Sequence, residues 1–235
     1  MEIAVHKARM EYSGGWVLDV AGLTFQPGSI YFIMGANGSG KTTLVEGIAG
    51  IRQFTEGDIE YRGLRAGEEL RQSLTLMEQT PYLFNMTAKA NIISGLKFRN
   101  FPEAEIQMRL AKYLPGMRVE DFLHKKPATL SGGEREKVAL LRTLILETPT
   151  VILDEPTSAM DIESSFQAEE LIRRFSDEGR CVLVVSHDFH QAERLADQLI
   201  FLDRGRLLEH GESSQLLASP ESELLKRILN KRKIK

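Results

Sequence analysis

Apolar and polar positions alternate in short blocks over the first third of the chain, and the blocks predict strands. Residues 5–12, 18–25 and 30–34 form apolar runs bounded by glycine, proline and serine, which is typical of strands between turns. Similar runs at 56–63 and 73–79 end at a glycine and at a Thr-Pro pair. We therefore predict that the chain begins with an antiparallel β part.

The pattern changes to helical spacing between residues 86 and 148. One amphipathic helix is predicted at 103–114, with an apolar face made of Ile106, Leu110 and Ala111. A stronger one begins near Gly133, and its predicted inward positions are Val138, Leu141, Leu144 and Ile145. Because no run in this block indicates a strand, we predict an inserted helical subdomain over residues 85–149.

Strand-like and helical runs alternate in the last third of the chain. The predicted elements are a strand at 151–155, a helix at 162–176, a strand at 181–187, a helix at 189–196 and a hairpin at 199–209. Strands that alternate with helices form a parallel sheet. The predicted fold class is therefore α/β with a mainly parallel sheet. Residues 1–235 are expected to form one domain, with its core at 1–84 and 150–235.

A glycine-rich segment, GANGSGKTT at residues 35–43, joins the strand at 30–34 to a helical pattern. A strand, a loop of the form GxxxxGK[ST] and a helix indicate a P-loop NTPase core. Backbone N–H groups and the helix dipole favour a phosphate chain here. Lys41 is expected to reach the β- and γ-phosphates, and the Thr42 hydroxyl to ligate Mg²⁺. Further predicted contacts are Gly35, Asn37, Gly38, Ser39, Gly40 and Thr43.

Composition and charge narrow the class of protein. The 235 residues are 42% hydrophobic and 27% charged with a net charge of −3, which fits a soluble domain and argues against extensive nucleic-acid binding. The one cysteine, Cys181, excludes a disulfide within the chain and a cysteine-rich zinc site. No apolar run approaches the roughly 20 residues that span a bilayer, and the N-terminus lacks a signal-peptide pattern. We expect a protein that stays in the cytosol.

A basic cluster ends the helix predicted from residue 221. Its members are Lys226, Arg227, Lys231, Arg232, Lys233 and Lys235. Cations at a helix C-terminus complement the helix dipole, so a solvated helix end is the favoured interpretation. A membrane-surface or nucleic-acid role is the alternative.

The apolar strand at 151–155 ends in two carboxylates, Asp154 and Glu155. In a parallel sheet, ligands bind at the carboxyl ends of the strands, which brings this pair beside the phosphate loop. Asp154 is predicted to hold Mg²⁺, directly or through water, and Glu155 to act as general base toward the attacking water. Without the phosphate loop, a polar strand end before the turn at Pro156 would explain the pair equally well.

The sequence LSGGE at residues 130–134 precedes the second amphipathic helix. Two glycines and Ser131 at a helix N-terminus make a second anion site. One nucleotide rarely needs two such sites, so this one would serve a nucleotide bound by another copy of the chain. Ser131 and Glu134, three residues apart, also form a capping box. The residue types alone leave both interpretations open.

The phosphate loop, LSGGE and VILDEP occur in this order, and nearly the whole chain resembles the ATP-binding subunit of ABC transporters. The resemblance implies that Tyr12 stacks on adenine, with Trp16 as a nearby alternative. It implies that Gln79 contacts Mg²⁺ and the attacking water. It also implies that Asp161 belongs to a D-loop and that His187 contacts the γ-phosphate.

The departures from the family pattern are small. Glu134 stands where glutamine is common and Thr42 where serine is common. Both changes keep the required donors and acceptors. Met160 replaces the more usual leucine of the D-loop.

The resemblance implies an ATPase that works as a dimer, with ATP and Mg²⁺ as cofactors. Each ATP would lie between the Lys41 loop of one chain and a contact set on a second copy or a similar cassette. That set consists of Ser131, Gly132, Gly133, Glu134 and Asp161. Separate transmembrane permease subunits would press into a groove at residues 82–96, so that the chain is peripheral at the cytoplasmic face of the membrane. A solute-binding protein is a further expected partner, and no nucleic acid is expected.

Residues 81–97 resemble tungstate, molybdate and related small-solute importers, which predicts import of a small solute such as an oxyanion. Amino-acid importers and export cassettes are the alternatives within transport. An ABC-type ATPase that drives a non-transport complex is the alternative outside it, but the chain has no coiled-coil insertion, second cassette or zinc cysteines. A P-loop kinase or GTPase would leave LSGGE unexplained.

Overall fold

The computed structural model describes residues 1–12, 15–62, 64–65 and 68–232, without the side chains of residues 12, 64–65, 68–69, 71 and 231–232. Its strands are β1 (Ile3–Tyr12), β2 (Gly15–Phe25), β3 (Ile30–Gly35), β4 (Glu56–Tyr61), β5 (Leu64–Arg65), β6 (Leu74–Met77), β7 (Thr150–Asp154), β8 (Cys181–Val185), β9 (Gln198–Asp203) and β10 (Arg206–Glu212). Its helices are α1 (Lys41–Ile48), α2 (Glu68–Ser73), α3 (Ala88–Phe98), α4 (Glu103–Tyr113), α5 (Gly132–Leu144), α6 (Ile162–Asp177), α7 (Phe189–Leu195), α8 (Ser213–Ala218) and α9 (Glu223–Arg232). The predicted α/β fold class is confirmed.

The described strands form one sheet in the order β5-β4-β1-β2-β10-β9-β3-β8-β7-β6. Strands β9, β3, β8, β7 and β6 are parallel to one another. Strand β1 pairs antiparallel with β2 and β4, which is the predicted N-terminal antiparallel part. Strand β10 pairs antiparallel with β9 and completes the predicted hairpin.

The parallel strands are buried on both faces of the sheet. Along β3, Ile30, Phe32 and Met34 belong to a core shared with α3, α4 and α5. The alternating residues Tyr31 and Ile33 belong to a second core shared with α1 and the antiparallel strands. Because successive side chains of a strand point to opposite faces, this division shows that the parallel sheet is covered on both sides and forms a rigid platform.

The carboxyl ends of three parallel strands lie level with one another. Ile33 of β3 and Asp154 of β7 are both paired with Val185 of β8. Gly35, which ends β3, is paired with Leu202 of β9. The loops that leave β3, β7 and β8 therefore begin at one edge of the sheet, which is where a ligand is bound in open α/β folds.

The block between β6 and β7 is helical, and α3 packs against α5. The predicted inward residues of α5 are fully buried. The predicted face of α4 is wrong at Ala111, which is exposed, whereas Tyr113 is buried. Ile106, Leu110 and Tyr113 follow the spacing of one face, and Ala111 lies about 100° around the helix from Leu110. The subdomain boundaries at 85 and 149 stay a prediction.

The C-terminal helix α9 is anchored by Leu225, which is fully buried. Lys226 forms an ion pair with Glu223 at 2.9 Å, as expected of a solvated helix face. The side chains of Lys231 and Arg232, and all of Lys233 and Lys235, lie outside the described part. None of the described helices combines the length and the apolar character that crossing a membrane requires.

Candidate functional site

The phosphate loop needs glycine at both of its ends. Gly35 has a φ of 147°, and a Cβ there would lie 2.1 Å from the carbonyl oxygen of Leu202. Gly40 precedes α1 with a φ of 97°, and a Cβ there would lie 3.0 Å from Leu18 Cδ1. No side-chain hydrogen bond of a described residue caps α1. The N–H groups of its first turn are therefore available to an anion.

Lys41 lies across this loop. Its Nζ donates hydrogen bonds to the carbonyl oxygens of Gly35 at 2.9 Å and Ala36 at 3.1 Å. Burial lowers the pKa of the Lys41 ammonium, and the carboxylates of Glu155 and Asp154 act in the opposite direction. Among the described residues, the direct hydrogen-bond partners of this cation are backbone carbonyls, and phosphate oxygens would be stronger partners.

Asp154, the last residue of β7, is buried. Burial, together with the neighbouring Glu155 carboxylate, raises the pKa of Asp154 to about 6. Attraction to Lys41 and a hydrogen bond with the Thr42 side chain partly offset this rise. In these surroundings, a cation that binds beside the carboxylate stabilises its charged form.

Glu155 and His187 form a pair at the edge of the sheet. Nδ1 of His187 lies 2.7 Å from Oε1 of Glu155. The backbone of Glu155 has a φ of 49°, a left-handed conformation that costs a non-glycine residue about 1–2 kcal/mol. Its N–H donates to the carbonyl of Val185 at 2.8 Å, which holds the strained residue in place. Strain of this kind is typical of functional positions.

A cleft with an empty volume of about 640 Å³ joins these features. Its lining includes Asn37, Gly38, Ser39, Gly40, Lys41, Thr42, Thr43, Gln79, Asp154 and Glu155. These are the predicted phosphate, metal and water contacts from three separate segments. The buried hydroxyl of Ser39 has no hydrogen-bond partner among the described residues, so the loop contains an unused polar group.

The LSGGE segment does not line this cleft. Ser131 Oγ accepts from the N–H of Glu134 at 3.2 Å, and the Glu134 carboxylate accepts from the N–H of Ser131 at 2.7 Å. Lys125 donates to the same carboxylate at 2.9 Å. These hydrogen bonds hold the pKa of Glu134 below its usual range, the Ser131 N–H being the largest cause. The predicted capping box is therefore present. Ser131 and Gly132, at this helix end, are exposed.

The remaining predicted residues have separate positions. Asp161 caps α6, where its carboxylate accepts from the N–H of Ser164 at 2.7 Å. Trp16 is half-exposed, and the guanidinium of Arg9 lies 5.1 Å from its ring centre. The side chain of Tyr12 lies outside the described residues. Stacking on adenine by either aromatic residue stays a prediction.

Sequence reasoning missed two residues, Val17 and Glu136. Val17 lines the cleft through its position on β2, and an isolated valine carries no chemical signal. Glu136 is buried on α5. A weak signal existed for it, because Glu136 lies four residues before the buried Leu140 and therefore shares its face of the helix.

Known relatives match the chain along almost its whole length. The family model described as ABC transporter matches residues 18–158. The tungstate uptake system ATP-binding protein TupC of Peptoclostridium acidaminophilum is 37% identical over 89% of this chain and 98% of its own length. The glutamine transport ATP-binding protein GlnQ of Escherichia coli is 32% identical over 91% of this chain and 92% of its own length.

Solved structures agree. An ATP-binding subunit of an ABC transporter superposes with a TM-score of 0.86 at 26% identity, covering 98% of this chain and 100% of its own. A bacterial ABC transporter cassette in a dimeric post-hydrolysis state, bound to ADP and phosphate, superposes with a TM-score of 0.81 at 26% identity, covering 90% of this chain and 98% of its own. The chain belongs to the ABC transporter family, as an ATP-hydrolysing cassette of the kind found in importers.

Proposed function

We propose that two copies of the chain, docked on separate transmembrane subunits at the cytoplasmic face, hydrolyse ATP to drive import of a small solute such as an oxyanion. The observation that carries the paired arrangement is the separation of the two glycine-rich helix ends. The loop 35–43 lies in a cleft with Asp154 and Glu155, and Ser131 and its neighbours lie outside that cleft.

The residues of the cleft divide the reaction between them. Lys41 and the N–H groups at the start of α1 bind the phosphates. Glu155 orients the attacking water and accepts its proton, while His187 holds the Glu155 carboxylate and approaches the γ-phosphate. The 2.7 Å contact between His187 and Glu155 supports this joint role.

The donor set of the cleft fits Mg²⁺. Thr42, Gln79 and the buried Asp154 all line the cleft that contains the phosphate loop, and they supply a hydroxyl, an amide oxygen and a carboxylate. Magnesium is commonly bound by one or two carboxylates together with substrate phosphates, and Asp154, with its raised pKa, would be stabilised in its charged form. When bound, the ion neutralises charge on the phosphate oxygens. Thr42, Asp154 and Gln79 are its proposed ligands.

The start of α5 supplies half of the proposed nucleotide site between two chains. Ser131 Oγ accepts from Glu134 N–H, so its own proton remains available for donation to a phosphate of the partner's nucleotide. Ser131 and Gly132 are exposed, so this helix end is accessible to a second chain. Ser131, Gly132, Gly133, Glu134 and Asp161 form the proposed contact set for the ATP of the second copy.

An exposed aromatic patch supports docking of the permease. Tyr82, Phe84 and Phe98 are 70%, 39% and 75% exposed, and their rings contact one another in sequence. The buried amide of Asn91 accepts from the N–H of Phe84 and donates to its carbonyl oxygen, and Arg142 donates to the carbonyl of Tyr82 at 2.8 Å. A rigid apolar patch of this kind suits a short helix of a membrane subunit.

The cargo is proposed by similarity alone. TupC is a tungstate uptake protein by its name, and GlnQ is a glutamine transport protein by its name. The greater identity to the former favours an oxyanion.

The test is purification of Glu155→Gln cassettes from native membranes with ATP, followed by identification of bound proteins. We expect a multi-span membrane protein together with a solute-binding protein, because the variant retains ATP but hydrolyses it slowly. The doubly substituted Lys41→Ala, Glu155→Gln chain is the control. Recovery of soluble complexes alone would contradict the transport proposal. A complex of the wild-type cassette with the recovered membrane protein whose ATPase activity responds to glutamine instead of tungstate would contradict the cargo.

A further inference from the structure

Glu136 is a buried carboxylate that the reaction just described does not use. It lies on α5, two residues after Glu134, and is 5% exposed. Its Oε1 accepts from the Ser158 hydroxyl at 2.7 Å, and both oxygens accept from the N–H of Ala159 at 2.9 Å. Burial of a carboxylate is costly unless such bonds compensate for it. Glu136 therefore binds α5 to the segment 156–161, here called the D-loop.

The glycines of LSGGE pack on the same D-loop. A Cβ on Gly133 would lie 2.9 Å from the carbonyl oxygen of Ala159, and one on Gly132 would lie 3.2 Å from Ala159 Cβ. The D-loop backbone thus lies directly against the start of α5. Two kinds of contact from α5 thus hold Ala159, namely close packing with the glycines and hydrogen bonds with Glu136.

The other end of the D-loop is bound to the helix that follows His187. The Thr157 hydroxyl accepts from Nε2 of Gln191 at 3.0 Å, and Gln191 is buried on α7. Thr157 also follows the strained Glu155 by two residues. A continuous set of contacts therefore runs from the start of α5, through the D-loop, to both members of the Glu155–His187 pair.

We propose that Glu136 is a positioning residue for ATP hydrolysis. Its carboxylate locks the D-loop to α5, so that the placement of Ser131 against a nucleotide is transmitted to Glu155 and His187 of the same chain. This inference rests on the proposed two-chain site. The physical reason is geometric: a general base acts only when it is held within hydrogen-bond reach of the water.

The experiment compares Glu136→Ala with Glu136→Gln. A glutamine keeps the contact, because its oxygen accepts from Ala159 N–H and its amide donates to the Ser158 hydroxyl. Glu209→Ala is the matched control, since Glu209 is also a buried carboxylate that accepts from two backbone N–H groups, those of Glu221 and Ser222. Each variant is measured for kcat, for KM and for monomer affinity toward a fluorescent ATP analogue. ATP-driven dimerisation is measured in the Glu155→Gln background.

We expect Glu136→Ala to lower kcat about tenfold, within the range for residues that couple two sites. Monomer affinity should be unchanged, because the phosphate loop is untouched, and ATP-driven dimerisation should weaken. Glu136→Gln and Glu209→Ala should retain kcat within about twofold. Wild-type kcat and dimerisation in Glu136→Ala would overturn the inference, as would an equal loss in Glu136→Gln.

If Glu136→Ala does not fold, Ser158→Ala tests the same contact at an exposed side chain. It removes one of the bonds and should lower kcat about threefold, and no change would overturn the inference. Failure of the proposed two-chain function has a different sign from failure of this inference. If the proposed function is wrong, the Glu155→Gln chain with Glu136 intact remains monomeric in the presence of ATP.

Discussion

The chain contains two glycine-rich helix ends that suit an anion, and they differ in what surrounds them. At α1 no described side chain caps the helix, and Lys41, Asp154 and Glu155 share the cleft. At α5 Ser131 and Glu134 form a capping box, and the glycines pack on the D-loop of the same chain. The first end has unused donors and charges, whereas two N–H groups of the second are already bonded to side chains of the same helix end.

From this difference we infer that the start of α1 binds a nucleotide by itself, whereas the start of α5 needs a nucleotide bound by a second chain. A helix N-terminus favours an anion only modestly, by about 0.3–1 kcal/mol at the surface. The α1 end adds Lys41 and the carboxylate proposed to bind Mg²⁺, so we expect it to bind a nucleotide within one chain. The α5 end adds only small donors, so we expect it to act after a nucleotide is already bound on another copy.

The largest effect on ATP hydrolysis is expected from Lys41→Ala, which removes the cation at the start of α1. Loss of a charge placed against the phosphates should lower ATP hydrolysis roughly 10²–10³-fold and weaken ATP binding by the single chain. Hydrolysis and nucleotide affinity are measured beside Lys126→Ala, at an exposed lysine of the helical block. Activity equal to that control would contradict the assignment of the cleft.

A smaller and more specific effect is expected from mixing Lys41→Ala with Ser131→Arg. Each variant alone should lack hydrolysis, but Ser131→Arg should still bind ATP. In a head-to-tail pair, one of the two sites of a mixed dimer has both halves intact, so random pairing should restore about a quarter of wild-type activity.

Ser131→Arg also removes a helix cap, and Thr87→Ala is the control for that loss. Thr87 caps α3 through a similar hydrogen bond, in which its hydroxyl accepts from the N–H of Ala90 at 3.2 Å. That variant should hydrolyse ATP normally. If no ratio of the two mutant chains recovers activity, the two helix ends do not belong to one shared site.

The smallest effect is expected on the stability of the chain without nucleotide. The pKa of Asp154 in the folded chain is about 6, above the ordinary 3.8, so the folded state binds the proton more tightly than the unfolded state. Ionised Asp154 therefore destabilises the fold above pH 6, and this cost disappears as the pH falls toward 4. Asp154→Asn should raise the free energy of unfolding by roughly 1–3 kcal/mol at pH 8.

The measurement is thermal unfolding of both chains across pH 4–8, where roughly 2–4 °C per kcal/mol is expected for a domain of this size. Asp121→Asn, at an exposed position, serves as control. A difference between wild type and Asp154→Asn that does not shrink at low pH would show that Asp154 carries no buried-charge penalty.

Most elements of the fold could be predicted because their signals are local. Apolar runs of four to six residues predicted β3, β7 and β8, and a glycine or proline lies close to each run. The error at Ala111 arose because several neighbouring faces of α4 fit the apolar spacing. The contacts that α4 makes in the fold decide which of these faces is buried. The contents of the cleft followed from one topological rule, that ligands bind at the carboxyl ends of parallel strands.

The sequence by itself determined the α/β class, the phosphate loop and the identity of the residues that could perform hydrolysis. Only the tertiary structure decided that Glu136 binds the D-loop and that His187 contacts Glu155. The reason is that these are contacts between residues 22 to 32 positions apart, and hydrophobic periodicity reports the burial of a position without naming its partner. A buried glutamate on a helix face indicates only that some partner exists, and the fold shows which one.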